Sequence, residues 1–527
     1  MKTINSSNLA GISGKRVLVE CEISKGIGIS LGGMVDSDVK KSLLRVVTVL
    51  QANCVYIPDK KIVINLAPAD LTKRGCGYDL PIALAFLAES GQTGPVEGAN
   101  LDELGSWMAV GGLDFDGSVR WVDGVIQAVQ TAIEYQCKGV IIPRDNAMEV
   151  AANFAEIIPV YAVSSLKEAI SVIGGVGDKK TVWDEWRENA QPALARNKRW
   201  DYIVGNPAAL RALEIAAAGG HGLLMIGAPS SGKASLARAL LDILPGLSAE
   251  EAMEVAAVYS AAGKGAFRPA NGEQGLRPFR APNGTCSVQA MFGGGINVLP
   301  GEISLAHNGI LYLGEVNDMP KSIMESIGYH FKDGDGHITI PRLKGNVTYP
   351  AKAMLVAASN PCPCGWHGEV ERCTCTPGQK SAYLNRIISN KLYQCFDIQV
   401  WTHTPVPGAP KVKLSADEVR SKVISARERQ LKRFRKAGLP ITLNGEMGAR
   451  DIELVCHLND ETAAFLDNII DRLGLSGFAA SSILKLARTI ADIEGDDDIK
   501  PAYIAEASSY RFLDKRDLTS SISNQKF

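Results

Sequence analysis

The chain has 527 residues, of which 46% are apolar and 21% charged, and its formal net charge is −1 at pH 7. This composition predicts an ordinary globular protein of about three domains. The near-zero charge excludes a general affinity for polyanions, so any nucleic-acid contact has to be local. The longest apolar runs are far shorter than the ~20 residues of a membrane span, so we expect no membrane association.

The eleven cysteines are spread along the chain, except for four that cluster. No signal peptide is recognisable. Together these features favour reduced thiols or a metal site over a disulfide framework, and they predict a cytoplasmic protein.

The first 172 residues predict a compact α+β domain, because alternating strands and amphipathic helices follow one another. A polar connector at 173–200, rich in glycine and charge, separates this domain from the next one. The predicted elements of the first domain are strands at 17–23, 62–66, 118–122 and 139–142, and helices at 37–52, 79–87 and 125–135.

A phosphate-binding loop is the strongest motif in the chain. An apolar strand at 223–226 ends at Gly227, and a helix at 234–241 follows Gly232-Lys233. In such a loop the backbone N–H groups and the helix N-terminus face phosphates, and the lysine reaches the β/γ oxygens. The alternative is a glycine turn that merely joins a strand to a helix. The candidate nucleotide-binding residues are Gly227, Ala228, Pro229, Ser230, Ser231, Gly232, Lys233, Ala234 and Ser235.

The position after the lysine departs from this motif. The motif requires Ser or Thr there as a magnesium ligand, and this chain has Ala234. Ser235 follows one position later, rotated by roughly 100° around the helix, so it cannot simply substitute.

Two further strands supply candidate catalytic residues. The apolar run 310–313 precedes Gly314-Glu315, where a P-loop ATPase has Asp-Glu. The Asp of that pair holds the Mg²⁺ shell, and the Glu, here Glu315, polarises the attacking water. The strand at 353–359 ends at Asn360, whose amide could hold the water or the γ-phosphate.

Motifs along nearly the whole chain resemble the Mg-chelatase-like ComM/YifB family of AAA+ proteins. They lie at 63–71, 78–82, 304–316, 360–365, 383–386 and 487–492. The resemblance implies an α/β fold class: a Lon-like α+β domain at 1–172, a P-loop AAA+ α/β module at 201–411, and a C-terminal helical lid at 412–527. It also implies ATP and Mg²⁺ as cofactors, assembly into a hexameric ring, and an ATP-driven motor on DNA.

The chain departs from the family at two arginine positions. The arginine finger before the Phe-Asp pair is Cys395 here, and the sensor 2 arginine is Phe478. Because Ala234 and Gly314 also remove the groups that organise Mg²⁺, we expect weak nucleotide binding with slow or absent hydrolysis. The alternative is that Glu315 and water hold a weakened Mg²⁺ site well enough for residual activity.

The Lon-like domain lacks the serine–lysine pair of a Lon-type peptidase. The loop at 73–79 contains no serine, and the segment 122–126 contains no lysine. Cys76 is a candidate nucleophile, but no base is marked beside it. A structural or assembly domain is therefore the preferred interpretation.

Two segments are candidates for contact with DNA. A predicted hairpin at 337–349 carries Arg342 and Lys344 near its turn, and a helix at 416–436 carries the strongest basic patch. In each case the alternative is an ordinary solvated surface. The cations of the helix are Arg427, Arg429, Lys432, Arg433, Arg435 and Lys436.

The cysteine cluster is Cys362-x-Cys364-x8-Cys373-x-Cys375. Four thiolates could form a tetrahedral Zn²⁺ site in the loop after Asn360. The pairs are tighter than the usual CxxC, and the alternative is a set of free thiols in a loop rich in proline and glycine.

Two functions from different classes follow. The first is a DNA-associated AAA+ ATPase of reduced activity that forms a homo-oligomer. The second is a non-hydrolysing subunit that assembles with an intact paralogue. Insertion of a metal into a porphyrin is disfavoured, because no integrin-type domain follows the lid in this sequence.

Overall fold

The computed structural model describes residues 1–154, 156–177, 179–188, 198–265, 277–342, 346–368, 372–405, 408 and 413–515. Its first part alternates strands and helices. The strands are β1 (Lys2–Ala10), β2 (Ser13–Ser24), β3 (Gly28–Gly32), β4 (Lys61–Ala67), β5 (Trp107–Ala109), β6 (Gly112–Leu113), β7 (Val119–Arg120), β8 (Gly139–Pro143) and β9 (Val160–Val163). The helices are α1 (Ser37–Ala52), α2 (Asp79–Ser90), α3 (Val125–Glu134), α4 (Ala147–Asn153), α5 (Leu166–Gly174) and α6 (Val182–Glu188).

Seven of these strands form one mixed sheet in the order β3-β4-β2-β1-β5-β8-β9. Strands β1, β2 and β4 pair antiparallel, and the other neighbours pair parallel. Alternate residues of β2, namely Val17, Val19 and Cys21, are fully buried, as expected for a strand with one face on the core. The predicted α+β architecture of this region is therefore observed.

The central part of the chain is built around a second sheet. Its strands and those of the attached hairpins are β10 (Leu223–Gly227), β11 (Phe279–Arg280), β12 (Gly293–Gly294), β13 (Leu299–Pro300), β14 (Gly309–Leu313), β15 (His337–Ile340), β16 (Val347–Pro350), β17 (Ala353–Ser359) and β18 (Ile398–Thr402). The helices are α7 (Pro207–Gly219), α8 (Lys233–Ile243), α9 (Ala249–Ala261), α10 (Val288–Phe292), α11 (Glu302–Leu305), α12 (Lys321–Asp333) and α13 (Pro377–Ile388).

This second sheet is parallel throughout, in the order β11-β14-β17-β10-β18. Every residue of β10 and β14 is buried, which is typical of parallel strands covered on both faces. The carboxyl ends of β10, β14 and β17 lie at one edge of the sheet. Polar residues that follow these strands are therefore brought together at that edge.

The C-terminal region is helical. Its helices are α14 (Ala416–Ala437), α15 (Ala449–Val455), α16 (Asp460–Leu473), α17 (Gly477–Glu494) and α18 (Pro501–Ser509). Apolar residues of these helices share one buried core with α7, α8 and β10. Within the described part of the chain, the helices are too short or too polar to cross a lipid bilayer. The predicted α/β class, with a parallel sheet and a helical C-terminal region, is confirmed.

The first unit packs against the second through helices α3 and α9. The side-chain amide of Gln127 donates to the carbonyl oxygen of Ala257 over 2.8 Å, and the N–H of Gly124 donates to Ser260. Both the Gln127 amide and its acceptor are buried. This contact fixes the N-terminal unit directly on the unit that carries the phosphate loop.

Some element boundaries differ from the sequence-based prediction. The strand predicted at 118–122 is only Val119–Arg120, because the N–H of Val122 donates to the side chain of Asn146 and leaves the ladder. Helix α17, predicted from the sequence at 481–494, begins at Gly477, because the Ser476 hydroxyl accepts from the N–H of Ala479 and caps the helix there.

Candidate functional site

The loop between β10 and α8 depends on its two glycines. A Cβ at Gly227 would lie 2.1 Å from the hydroxyl oxygen of Thr402, so only glycine allows β10 to approach β18 so closely. Gly232 has φ +89°, a left-handed conformation that glycine adopts at little cost. Helix α8 begins directly after it, at Lys233. The backbone therefore has the turn that the phosphate-loop motif requires.

Lys233 is held inside this loop. Its side chain is 7% exposed, and the ammonium nitrogen donates to the carbonyl oxygens of Gly227 (2.6 Å) and Ala228 (3.0 Å). Burial lowers the pKa of Lys233, and the charge of Glu315 opposes that shift. The ammonium group thus faces the concave side of the loop, where a phosphate would be bound.

Glu315 and Asn360 lie beside Lys233. Glu315 follows β14 and has φ +50°, and Asn360 follows β17, whose Ser359 pairs with Ile226 of β10. Burial raises the pKa of Glu315, although the charge of Lys233 opposes this, and a hydrogen bond with Asn360 also favours the carboxylate. Three neighbouring strands therefore bring the lysine, the carboxylate and the amide to one place.

The two positions that lack magnesium ligands have room for them. Ala234 is exposed on the first turn of α8, and so is Ser235. A Cβ at Gly314 would meet nothing closer than the Tyr312 ring, at 3.4 Å. The packing therefore does not require glycine at position 314. A side chain with a carboxylate could be placed there, and this chain lacks it.

Sequence reasoning did not identify Thr402, which supports the loop from the last strand. Its hydroxyl lies 2.8 Å from the hydroxyl of Ser231, and both groups are buried. The sequence feature that could have identified Thr402 is a hydroxyl-bearing residue at the carboxyl end of a strand. Asn360 was identified because it occupies the same kind of position. On the other side of the loop, Pro229 packs against Gly365 of the cysteine segment.

Cys395, where the family resemblance predicts an arginine finger, is packed within its own chain. The thiol lies 3.5 Å from the carbonyl oxygen of Gly328, to which it donates, and burial raises the pKa of Cys395 to about 12. Its carbonyl group lies against Gly222, where a Cβ would clash at 1.9 Å. This side chain carries no charge that could be offered to a neighbouring subunit.

Phe478, where the family resemblance predicts the sensor 2 arginine, lies between two cations of the same chain. The ammonium nitrogen of Lys332 and the guanidinium carbon of Arg511 are each 5.0 Å from the centre of the ring. Arg511 is fully buried, and it also donates to the carbonyl of Asp397 over 3.1 Å. The position is therefore occupied by a cation–π arrangement that joins α12 to the end of the lid.

The four clustered cysteines converge. Their Sγ atoms all lie within 4.8 Å of one another, with Cys362 buried and Cys364, Cys373 and Cys375 half-buried. The Sγ atom of Cys362 is 3.4 Å from that of Cys364 and 3.8 Å from that of Cys373, and the latter two are 3.7 Å apart. All eleven cysteines of the chain are free thiols. This cluster is a set of donors that could hold a metal ion.

Cys76 does not have the features of an activated nucleophile. Burial raises the pKa of its thiol, and the charge of Asp79 raises it further, although Arg45 opposes both effects. Asp79 is instead paired with Arg45 over 2.8 Å. A thiol with a raised pKa is mostly protonated at neutral pH, so Cys76 is poorly suited to covalent catalysis.

The basic helix α14 directs part of its charge inward. Arg427 donates to the carbonyl oxygen of Ala217 over 3.0 Å, and Arg433 pairs with the buried carboxylate of Asp492. Arg427 therefore holds the lid on the central unit, because Ala217 lies in α7, whereas Arg433 joins α14 to α17 within the lid. Both arginines are engaged inside the chain and are not available to DNA. Of the six cations predicted to form the basic patch, those that remain exposed are Arg429, Lys432, Arg435 and Lys436.

The predicted hairpin is formed by β15 and β16, which pair antiparallel. Arg342 follows β15 and is exposed, and its guanidinium group donates to the carbonyl of Gly295. Lys344 lies outside the described residues. The structure thus places Arg342 beside the glycine-rich turn between β12 and β13.

Comparison with known proteins agrees with this architecture. Residues 200–408 match the family described as magnesium chelatase, subunit ChlI; residues 19–146 match subunit ChlI of Mg-chelatase; and residues 413–511 match the ChlI C-terminal family.

Whole-length relatives extend the match to nearly the entire chain. The uncharacterised protein YifB of Salmonella typhimurium is 37% identical over 510 residues, covering 96% of both chains. YifB of Escherichia coli is 36% identical over 98% of both chains. The competence protein ComM of Haemophilus influenzae is 35% identical over 95% of this chain and 96% of its own. The chain therefore belongs to the ComM/YifB family of magnesium-chelatase-like proteins.

Proposed function

We propose that this chain binds ATP in the loop between β10 and α8, hydrolyses it slowly or not at all, and acts in association with DNA. The observation that carries the proposal is the convergence of Lys233, Glu315 and Asn360 at the ends of three neighbouring strands. Ligands of open parallel sheets bind at such an edge.

The residues present fit the phosphates of a nucleotide. The left-handed Gly232 exposes the N-terminus of α8, an eleven-residue helix whose free N–H groups attract anions. The ammonium group of Lys233 adds a full positive charge at the same place. Asn360 lies within reach of Lys233 and could orient the terminal phosphate or a water molecule.

Hydrolysis is expected to be impaired, because the fit for Mg²⁺ is poor. When bound, this ion neutralises charge on the β and γ phosphates. The side chains of Ala234 and Gly314 offer it no oxygen ligand, which leaves Glu315, whose charge acts on Lys233, as the carboxylate of the proposed site. The weakened magnesium site lowers the expected rate of hydrolysis. The absence of arginine at Cys395 and Phe478 lowers this rate as well.

The proposed association with DNA rests on family membership and on local charge. One relative is named a competence protein. We also propose, from the family resemblance, that the chain assembles into a ring with a central channel. Exposed cations are available on α14 and at Arg342, although the whole chain has a net charge of −1. Any binding to DNA should therefore be local and strongly dependent on salt.

A second candidate is a non-hydrolysing subunit that assembles with an intact paralogue. The observation that favours it is Cys395, whose uncharged side chain is turned into its own chain. A ring of identical subunits would lack this arginine at every interface. A mixed ring would receive arginines from the active partner.

The deciding experiment measures ATP binding and phosphate release by the purified chain with Mg²⁺, with and without DNA. The comparison variant carries Ala234→Thr and Gly314→Asp. Ala234 is exposed, and a Cβ at Gly314 would meet nothing closer than the Tyr312 ring at 3.4 Å. We expect binding without appreciable turnover in the native chain and a gain of turnover in the variant.

Turnover of the native chain that DNA stimulates would contradict impaired hydrolysis and support an active motor. Absence of ATP binding would contradict the nucleotide site itself. Purification of the native chain from its own cells with a paralogue that carries the complete motif would support the second candidate.

A further inference from the structure

The spacing of the four clustered thiols matches a tetrahedral metal site. A zinc–sulfur bond is about 2.3 Å, so the sulfur atoms of a tetrahedral zinc site lie about 3.8 Å apart. The three separations among the sulfur atoms of Cys362, Cys364 and Cys373 are 3.4, 3.7 and 3.8 Å, and all four sulfur atoms lie within 4.8 Å of one another. A disulfide would bring two sulfur atoms to about 2.05 Å. The cysteines therefore have the arrangement of ligands around one ion.

Backbone N–H groups face two of the sulfur atoms. Those of Trp366 and Thr374 donate to the sulfur of Cys364, and that of His367 donates to the sulfur of Cys362. In metal sites such bonds orient the ligands. Four soft sulfur donors so close together select zinc or another thiophilic ion over magnesium.

The part of the chain that begins at Cys362, here called the cysteine segment, is attached to the proposed nucleotide site at two points. Cys362 follows Asn360 by two residues, so the cluster begins directly after the amide. Gly365 lies against the phosphate loop, because a Cβ built on it would be 3.1 Å from the ring carbons of Pro229. An ion that fixed the segment would therefore support Pro229 and Asn360 together.

The second cysteine pair leads into a helix that supports the same edge. Thr376, directly after Cys375, caps α13 through a reciprocal pair of bonds with Gln379. The carbonyl of Tyr383 in this helix accepts from the buried amide of Asn317 over 2.9 Å. A metal ion between the pairs would join the end of β17 to the start of α13.

We propose that Cys362, Cys364, Cys373 and Cys375 bind one zinc ion, and that this ion braces the phosphate loop through Pro229 and Asn360. The bracing role rests on the proposed nucleotide site, whereas the metal site does not. Loss of the ion would release the cysteine segment and weaken nucleotide binding without removing any group that touches the nucleotide.

Metal binding is tested first, on the full chain purified under reducing conditions. Elemental analysis should give one zinc per chain, and Cys364→Ser should lower that value. Cys54→Ser is the matched control, since Cys54 is exposed and far from the cluster in sequence. Replacement of the zinc by Co²⁺ in the native chain should produce the visible and sulfur-to-metal absorption of a tetrahedral thiolate site, which needs no variant to fold.

An absence of zinc after purification with added zinc, together with no thiolate absorption from Co²⁺, would overturn the metal site. Disulfides within the cluster of the freshly purified chain would overturn it as well.

Bracing is tested by nucleotide binding before and after a chelator removes the zinc from the native chain. We expect affinity for a fluorescent ATP analogue to fall roughly tenfold, within the usual range of coupling between two sites, and to return when zinc is added back. Unchanged affinity in a zinc-free chain would overturn the bracing role. A chain that binds zinc but no nucleotide would contradict the proposed function and the bracing role, and it would leave the metal site established.

Discussion

The ammonium nitrogen of Lys233 lies 3.4 Å from the side-chain oxygen of Asn360, although 127 positions separate the two residues in the chain. The contact exists because β10 and β17 are neighbours in the parallel sheet, with Ile226 opposite Ser359. The ammonium group of Lys233 and the side-chain amide of Asn360 therefore face the same space at the carboxyl ends of these two strands.

Replacement of this lysine is the direct test of the nucleotide site. We expect Lys233→Ala to weaken binding of a fluorescent ATP analogue about 10- to 100-fold, because a hydrogen bond to a charged group contributes about 1.5–3 kcal/mol. Lys41→Ala on α1 is the control, since that lysine is 69% exposed. Equal affinities of both variants and the native chain would rule out a role for Lys233 in binding.

Much of the fold could be predicted from local pattern, because its signals are local. Helix α1 has the predicted bounds 37–52, and its start is marked by Asp36, whose carboxylate accepts from the N–H groups of Asp38 and Val39. Apolar runs such as 223–226 identified the buried parallel strands. Boundaries were missed where a distant side chain intervened, as Asn146 does at Val122.

The candidate site was predictable only in part, because some of its contacts join residues that are distant in the sequence. Lys233, Glu315 and Asn360 each follow an apolar strand, so the sequence marks them individually. The contacts of Ser231 with Thr402 and of Pro229 with Gly365 join residues far apart in the chain and leave no local pattern. Such contacts depend on strand order, which a single sequence does not reveal.

A second test concerns the attachment of the lid, through Asp397. Burial by itself would raise the pKa of this carboxyl group. Hydrogen bonds from His221 (2.9 Å) and Ser482 (2.8 Å), together with the charge of Lys485, outweigh burial and hold the pKa well below its ordinary value. A pKa lower in the folded than in the unfolded chain means that the carboxylate stabilises the fold.

This stabilisation is complete above the unfolded pKa of about 3.9 and is lost as the pH falls below it. We expect Asp397→Asn to lower Tm at pH 7, since loss of one partner in a buried charged network costs about 3–5 kcal/mol. The difference in Tm from the native chain should shrink below about pH 4. The exposed Asp467→Asn is the control, and a pH-independent difference would contradict the assignment.

A third test separates the inward and outward cations of α14. We expect Arg433→Ala to lower the free energy of unfolding by about 1–3 kcal/mol, because the buried carboxylate of Asp492 then loses one of its charged partners. The salt dependence of DNA binding should not change. A variant with alanine at the exposed Lys432, Arg435 and Lys436 should keep its stability.

If this exposed face contacts phosphates, as proposed, the triple variant should reduce the slope of log K against log salt by about three. An unchanged slope in the triple variant would exclude Lys432, Arg435 and Lys436 from the DNA contact and leave Arg429 and Arg342 as candidates. Loss of stability in the triple variant would show that these side chains are structural.

The last test asks whether an arginine at position 478 would restore the family's sensor 2. We expect Phe478→Arg to lower Tm without raising ATP turnover, because the new cation would lie between Lys332 and Arg511. The change removes two cation–π contacts of about 0.5–2 kcal/mol each and replaces them with repulsion. Phe478→Tyr keeps an aromatic ring and should leave Tm nearly unchanged. A rise in ATP turnover by Phe478→Arg would show that the side chain can still reach the nucleotide, and that the surrounding cations yield to it.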